Sequence, residues 1–287
     1  MSYKAINYWV LGGFGGAKSA YEAIDDAAAM GLDGLELTFG DVLPESISEE
    51  ECGKIKKYAL EKKIGLKSLA SGAYWGMSLG SPDNAEQAKA VSFTEKYIRT
   101  AAALGAKTIL VVPGAVDVAW DSTRPVVPYQ TVWDRSTAAL KKLVPLAEKM
   151  KVEIALENVW NKFLLSPVEM KMFVEQFKSK AIGVYFDIGN PLLFGYPEHW
   201  ITILGKHVKA VHIKNFSRND CGGNLHGFGD NLKTGDVNYP AVKAALKEIN
   251  YSGPLTVEMI PFCRLPDLVL PDMELARKVA AELKELF

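Results

Sequence analysis

Residues 152–160 read Val-Glu-Ile-Ala-Leu-Glu-Asn-Val-Trp, a short apolar run that ends at Glu157 and Asn158. Three later apolar runs, rich in β-branched and aromatic residues, also end at a side chain that can bind a metal ion. The side chains at their ends are Asp187, His212 and Glu258. This repeated pattern predicts several strands, each with one functional group at its carboxyl end.

Apolar segments of this kind alternate with amphipathic segments along the whole chain. Several of them are apolar at nearly every position, which is typical of parallel strands covered on both faces. The eight predicted strands are 6–11, 34–38, 64–69, 108–112, 153–157, 183–187, 208–213 and 254–259. The eight predicted helices are 19–30, 48–63, 82–104, 129–150, 167–177, 197–204, 239–250 and 272–287.

Residues typical of helix ends separate these segments. Ser19 with Glu22, and Ser166 with Glu169, have the spacing of a capping box. Pro82 is expected at a first helical position. The glycines expected to end helices in the left-handed conformation are Gly31, Gly65 and Gly105.

Eight strand–helix units in 287 residues predict a (β/α)8 TIM barrel, with a doubly wound open sheet as the alternative. No linker or break in composition divides the chain, so residues 1–287 are predicted to form a single domain. Three long connections, 71–81, 113–128 and 215–238, follow strands. They therefore lie on the face where barrels of this kind bind substrates.

The composition narrows the class of partner. Lys and Arg total 33 against 34 for Asp and Glu, so no strong positive field favours nucleic acid or an anionic membrane. The sequence contains neither a signal peptide pattern nor an apolar run long enough to span a membrane, and we expect a soluble, cytoplasmic protein. Its three cysteines form no CxxC pair, which argues against disulfides and thiolate metal sites. A homo-oligomer is compatible with the sequence, which does not decide the oligomeric state.

In a closed barrel Glu157, Asp187, His212 and Glu258 come from four adjacent strands and point toward one another. Any one of them alone could simply cap a helix, but four in consecutive strands indicate a shared metal site. Three carboxylates and one imidazole suit one divalent ion, either Mn²⁺, Mg²⁺ or Co²⁺, and Zn²⁺ also fits. Without a cation the carboxylates would repel one another and raise each other's pKa.

Such a site suggests proton transfer next to a carbonyl group. A divalent ion that chelates a carbonyl oxygen and a neighbouring hydroxyl acidifies the C–H bond between them and stabilises the enediolate. One carboxylate can then shuttle a proton between adjacent carbons, which is isomerisation. Two carboxylates on opposite faces can perform epimerisation, and Glu157 and Glu258 lie on non-adjacent strands that can flank a substrate.

Four motifs resemble those of the sugar isomerase/epimerase superfamily with a xylose-isomerase-like barrel. They are Ile154–Asn158, Tyr185–Asn190, Val211–Asn215 and Thr256–Glu258, and the resemblance extends over essentially the whole chain. The order Glu, Asp, His, Glu matches the metal ligands of its ketose 3-epimerases. The resemblance implies that Glu157 and Glu258 are both ligands and the acid/base pair, and that Asp187 and His212 are ligands only. It also implies that Arg218 binds substrate.

Two positions depart from the free-ketose epimerases. Asn190 stands where they carry a histidine, and Phe163 where they carry a second glutamate. The Asp-Ile-Gly-Asn form is more similar to L-xylulose-5-phosphate 3-epimerases and hexulose-6-phosphate isomerases. The implied substrate is therefore a ketose or a ketose phosphate.

Further substrate contacts are predicted for Asn158, Asn190, Lys214 and Trp75. A phosphate would be held by Lys214, Arg218 and Lys233 near the glycine-rich connection 221–229, unless this is a solvated loop with ordinary surface lysines. Trp75, Tyr74 and Trp160 either form an apolar wall for a sugar or belong to the core.

Two segments near the start of the chain also attract attention. Residues 12–19, Gly-Gly-Phe-Gly-Gly-Ala-Lys-Ser, are similar to a phosphate-binding loop, but Ala17 replaces the glycine required before the lysine. We therefore do not predict nucleotide binding there. Glu36 is expected either to form a hydrogen bond near the pocket or to pair with a neighbouring lysine.

Three other functions are compatible with a barrel of this kind. A lyase such as a keto-inositol dehydratase would expel a β-hydroxyl group instead of returning the proton. A trinuclear-zinc endonuclease would need several histidines at strand ends. This chain has four histidines, and only His212 is expected at a strand end. A sugar-binding protein without turnover is disfavoured because both Glu157 and Glu258 are present.

Overall fold

The computed structural model describes residues 2–118, 121–223, 225–260 and 270–287. Within these residues eight parallel strands pair in chain order, and the last pairs with the first to close a barrel. The strands are β1 Tyr3–Asn7, β2 Gly34–Thr38, β3 Ser68–Ala70, β4 Thr108–Val111, β5 Glu153–Glu157, β6 Ile182–Asp187, β7 Val208–Ile213 and β8 Pro254–Val257. The (β/α)8 barrel is confirmed, and the open sheet is excluded.

A helix follows each strand and covers the outside of the barrel. The helices are α1 Ala20–Ala29, α2 Glu49–Glu61, α3 Asn84–Leu104, α4 Tyr129–Met150, α5 Pro167–Glu175, α6 Pro197–Leu204, α7 Tyr239–Glu248 and α8 Met273–Leu286. Strands such as β2 and β6 are buried at every position, because one face meets the helices and the other meets the barrel interior.

Side chains that alternate along the strands fill the centre of the barrel. Ala155, Tyr185 and Ala210 pack there in one cluster with Ala70 and Leu110. Because side chains two residues apart share one face of a strand, the residues two positions beyond Ala155, Tyr185 and Ala210 also point inward. The strand geometry thus directs the predicted ligands to the mouth of the barrel.

The first and third strands differ from the prediction. Segment 6–11 was predicted as a strand, but β1 ends at Asn7 and residues Tyr8–Leu11 form a 3₁₀ turn. The cause is local, because the backbone N–H of Trp9 donates a 2.8 Å hydrogen bond to Oδ1 of Asn7. The third strand is Ser68–Ala70 rather than 64–69.

The predicted helix ends are partly confirmed. Ser19 and Glu22 form a complete capping box, and Gly31 and Gly105 adopt positive φ. Pro82 is not at a first helical position, because Asp83 caps α3 by accepting a 2.8 Å hydrogen bond from the backbone of Glu86. The prediction for Gly65 is also wrong, because Lys63, with φ of 61°, adopts the left-handed conformation after α2.

The structure tests the membrane and cysteine predictions only for the described part of the chain. None of its helices is long and apolar enough to span a membrane. Cys52 and Cys221 are buried and free, whereas Cys263 lies outside the described residues.

Candidate metal centre

The four predicted ligands gather at the carboxyl ends of β5 to β8. Glu157 and Asp187 are the last residues of β5 and β6, His212 is the penultimate residue of β7, and Glu258 directly follows β8. All four are buried, and one ligand atom from each lies within 4.8 Å of those of the other three. Segments more than 100 residues apart in the chain thus supply one compact group of donor atoms.

The carboxylate of Asp187 is held rigidly on one side. Its Oδ1 accepts hydrogen bonds from the backbone N–H groups of Gly189 and Asn190, at 2.8 and 2.9 Å. The side-chain amide of Asn158 donates to the backbone carbonyl of Asp187 and accepts from its N–H, at 2.9 and 2.7 Å. These contacts leave Oδ2 directed toward the cluster.

His212 uses its two ring nitrogens differently. Nε2 lies 2.7 Å from Oε1 of Glu36, a carboxylate buried in the barrel interior. Nδ1 faces the cluster, 3.3 Å from Oε2 of Glu258 and 4.0 Å from Oε1 of Glu157. The imidazole packs against Tyr185, with ring centroids 4.4 Å apart, so its orientation is fixed.

Lys214 enters the same cluster from the residues just after β7. Its ammonium lies 2.7 Å from Oε2 of Glu258 and 2.9 Å from Oδ2 of Asp187. The two carboxylates raise the pKa of the lysine although burial alone would lower it. Lys214 is therefore a buried positive charge among the predicted ligands.

The two glutamates experience opposite electrostatic environments. Burial and the nearby charge of Glu258 raise the pKa of Glu157 to about 8. Burial also acts to raise the pKa of Glu258, but His212 and Lys214 outweigh it and hold that pKa at about 2. In the metal-free protein near pH 7, Glu157 is thus mostly protonated and Glu258 is ionised.

The donor atoms fit a divalent cation. Among the described residues, Oδ2 of Asp187 and Nδ1 of His212 are buried without a hydrogen bond. Oδ2 lies 2.9 Å from the ammonium of Lys214 and Nδ1 lies 3.3 Å from Oε2 of Glu258, both as ion-pair contacts. Buried polar atoms without a hydrogen bond are rare. Here Oδ2 of Asp187 and Nδ1 of His212 both point to where the carboxylates of Glu157 and Glu258 converge. Three carboxylate oxygens and one imidazole nitrogen are a donor set that Mn²⁺, Co²⁺, Mg²⁺ and Zn²⁺ accept.

The structure assigns the two asparagines clear contacts. Both polar atoms of the Asn158 side chain bind the backbone of Asp187, so Asn158 positions a predicted ligand. The amide of Asn190 donates to the backbone carbonyl of Asn158 at 2.9 Å. Both lie beside the cluster, and a contact between either of them and substrate stays a prediction.

The residues proposed to hold a phosphate each have another partner in the structure. Lys214 binds the carboxylate cluster, and Lys233 pairs with Glu285 on α8. The exposed guanidinium of Arg218 lies over the ring of Tyr196, 5.2 Å from its centroid. A joint phosphate site of these three residues and the contact of Arg218 with substrate both stay predictions.

The three aromatic residues considered for the sugar wall differ in burial. Tyr74 is core, because it is buried and its hydroxyl forms a hydrogen bond with Thr94. Trp75 and Trp160 are half-buried and pack against the core, and Trp160 contacts Phe216. An apolar wall that includes Trp75 stays a prediction.

Glu36 and Lys214 are the features whose position the sequence did not settle. The sequence left Glu36 between a hydrogen bond near the pocket and a pair with a lysine, and the structure selects the hydrogen bond with His212. Two facts could have favoured that choice. Glu36 lies inside an otherwise apolar strand segment, and its carboxylate shares the inward face with the residues two positions away.

Comparisons with known proteins show which family this chain resembles. The sequence model of the family described as xylose isomerase-like TIM barrel matches residues 24–286. A 2-epi-5-epi-valiolone 7-phosphate 2-epimerase of Actinoplanes sp. is 29% identical over 190 residues, which cover 65% of this chain and 63% of that protein. The L-ribulose-5-phosphate 3-epimerase UlaE of Escherichia coli O1:K1 is 23% identical, with 83% of this chain and 81% of that protein covered.

Solved structures share the fold over nearly the whole chain. A D-psicose 3-epimerase from Clostridium cellulolyticum H10, solved with D-tagatose, has a TM-score of 0.77 at 19% identity. The alignment covers 99% of this chain and 98% of the D-psicose 3-epimerase chain. The chain spans about half to two thirds of the length of the first two curated relatives that it matches, 51% and 63%.

Proposed function

Because the chain belongs to the xylose isomerase-like TIM barrel family, we propose that it is a divalent-metal-dependent isomerase or epimerase of a ketose or ketose phosphate. One observation carries the proposal, namely the buried cluster of Glu157, Asp187, His212 and Glu258 at the carboxyl ends of four adjacent strands. In barrels of this type, catalytic groups lie at that face.

The names of related proteins support the substrate class. The aligned Actinoplanes and Escherichia coli relatives are named as epimerases of phosphorylated compounds. A structural neighbour is named as a 3-epimerase of a free ketose. We therefore propose a ketose or its phosphate as substrate, and epimerisation as the favoured reaction.

The chemistry requires a carbon that bears a hydroxyl group next to a carbonyl group. A divalent cation held by Glu157, Asp187, His212 and Glu258 would polarise that carbonyl and make the neighbouring C–H bond more acidic. Asp187 and His212 are held by Asn158 and Glu36, so they act as rigid ligands that orient the substrate oxygens.

Glu157 and Glu258 are the proposed acid/base pair. Glu157 ends β5 and Glu258 directly follows β8, with β6 and β7 between them, so they approach a bound substrate from different sides. One glutamate breaks the C–H bond by accepting the proton, and the other returns a proton to the opposite face of the same carbon. The net result is an inverted carbon, and exchange with water restores the starting protonation of both glutamates.

Proton NMR in D₂O tests this proposal. The protein is loaded first with Mn²⁺ and then with Mg²⁺, which is the ion present when the spectra are recorded. It is incubated with a panel of pentuloses, hexuloses and their phosphates. We expect deuterium to enter next to the carbonyl of at least one substrate, with formation of its epimer or isomer. A dehydrated product would show a lyase instead, and the absence of exchange and turnover across the panel would refute the proposed activity.

A further inference from the structure

Glu36 is a carboxylate buried inside the barrel, on β2, across the interior from β7. Its side chain is wholly inaccessible to solvent. An ionised carboxylate in such a place is costly unless several donors bind it, and here they do. The Nδ2 group of Asn7 donates to Oε1 at 2.9 Å, and the hydroxyls of Ser68 and Tyr185 donate to Oε2.

The fourth partner of Glu36 is His212. Oε1 of Glu36 lies 2.7 Å from Nε2 of the imidazole, at a spacing of 176 residues along the chain. Since an ionised carboxylate only accepts hydrogen bonds, Nε2 must carry the proton. In a neutral imidazole the lone pair then lies on Nδ1, which is the nitrogen that faces Glu157 and Glu258.

The surrounding contacts prevent either partner from turning away. Asn7, Ser68 and Tyr185 come from β1, β3 and β6 and fix the carboxylate of Glu36 from three directions. The ring of Tyr185 also packs on the imidazole. A ring flip of His212 would put Cε1 in the place of Nε2 against Glu36 and Cδ2 in the place of Nδ1 at the cluster, so both nitrogen contacts would be lost.

We propose that Glu36 is a positioning residue for the cation, because its hydrogen bond with Nε2 sets the tautomer and orientation of His212 that present Nδ1 as a ligand. This inference rests on the metal site of the proposed function. Histidine ligands generally donate their other N–H to a carboxylate or carbonyl, and loss of that partner weakens metal binding by about 10- to 100-fold. Glu36 is not one of the four grouped ligands and would act through His212.

The first test compares the Mn²⁺ affinity of the wild type and Glu36→Gln by isothermal titration calorimetry, after removal of metal. We expect the dissociation constant of the folded variant to rise about 10- to 100-fold. The matched control is Glu282→Gln, the same chemical change at a buried glutamate on α8 that binds the backbone of Leu232. Its affinity should equal that of the wild type, because Glu282 has no contact with His212.

The outcomes separate this inference from the proposed function. A wild-type protein that binds no Mn²⁺ would refute the metal site itself. If the wild type binds and folded Glu36→Gln binds equally well, only the role of Glu36 is refuted. Circular dichroism of each variant establishes that it is folded.

A second measurement needs no variant at Glu36 and holds even if Glu36→Gln does not fold. Spectra of ¹⁵N-histidine in the wild-type protein loaded with Zn²⁺ distinguish a metal-bound ring nitrogen from a protonated one. The signal of His212 is identified by its absence from His212→Asn. We expect Nδ1 to be metal-bound and Nε2 to be protonated, whereas a metal bound to Nε2 would overturn the proposal.

Discussion

The ammonium of Lys214 lies 2.7 Å from Oε2 of Glu258, in the middle of the carboxylates that are proposed to bind a cation. Three carboxylates, one ammonium and one divalent cation would together be neutral, with His212 uncharged. In the metal-free protein the same group is stabilised by protons on Glu157 and His212, whose pKa values are raised. Lys214 is therefore part of the charge balance of the site.

Replacement of Lys214 by Met should affect the metal-free and metal-loaded proteins differently. In EDTA we expect a loss of about 3–5 kcal/mol in the free energy of unfolding, because Asp187 and Glu258 lose their buried partner. Mn²⁺ should stabilise this variant more than the wild type, since a positive charge beside the cation is gone. Thermal unfolding with and without Mn²⁺ measures both effects, and equal stabilisation of the two proteins would contradict the expectation.

The variant Glu258→Gln should retain the fold and lose proton exchange. Gln cannot accept the proton from carbon, and we expect a fall in turnover of about 10²- to 10⁴-fold, the typical contribution of general acid–base catalysis. The measurement is deuterium incorporation at the substrate carbon in D₂O. Normal exchange in this variant would exclude Glu258 as a base.

Removal of metal should abolish activity, and Mn²⁺ or Co²⁺ should restore it. The same addition should stabilise the folded protein, by about 2.7 kcal/mol when the free cation is at 100 times its dissociation constant. Asp187→Asn serves as the comparison, because it weakens the site while the backbone contacts of residue 187 can remain. Activity that is indifferent to EDTA, in protein shown by elemental analysis to be metal-free, would contradict the site.

Metal affinity should increase with pH. Since the pKa of Glu157 is raised to about 8 in the metal-free protein, its proton must leave when a cation binds. The proton on His212, whose pKa is also raised, must leave too, so the apparent affinity should rise by about tenfold per pH unit for each displaced proton between pH 6 and 8 and continue to rise above the pKa of Glu157. Calorimetry in buffers of different ionisation enthalpy counts the released protons, and a dissociation constant independent of pH would contradict the prediction.

Substitution of Gly189 by Ala should disturb the cluster from outside it. A Cβ atom at this position would lie 2.5 Å from Cγ and 3.2 Å from Cδ of Lys214, so the lysine would have to move. We expect a loss of about 1–3 kcal/mol in stability and reduced turnover. Gly53→Ala on α2 is the control, because its Cβ would meet nothing within 4 Å and should leave activity unchanged.

Much of the fold could be predicted because its signals are local. Segments 34–38, 153–157 and 208–213 were predicted with the bounds that the structure shows, since each is a compact apolar run between clear helix signals. The gathering of Glu157, Asp187, His212 and Glu258 then follows from barrel closure, because consecutive strand ends must meet at one face.

The errors arise where a side chain competes with the backbone or where partners are distant in sequence. Asn7 ends β1 by accepting a hydrogen bond from the chain beyond it, and Asp83 captures the helix start expected at Pro82. The contacts of Lys214 with Asp187 and of Glu36 with His212 depend on which strands become neighbours and on the direction of each side chain. A local pattern can indicate that Glu36 points inward, but it does not identify His212 as its partner.

The pairing of β8 with β1 has a consequence for how the protein is made. During synthesis β8 is the last of the eight strands to leave the ribosome, and Glu258 emerges directly behind it. A nascent chain therefore contains Asp187 and His212 before Glu258 is available, and the barrel cannot close until β8 has emerged. If the cluster binds a cation as proposed, tight binding therefore requires a chain that has completed its fold.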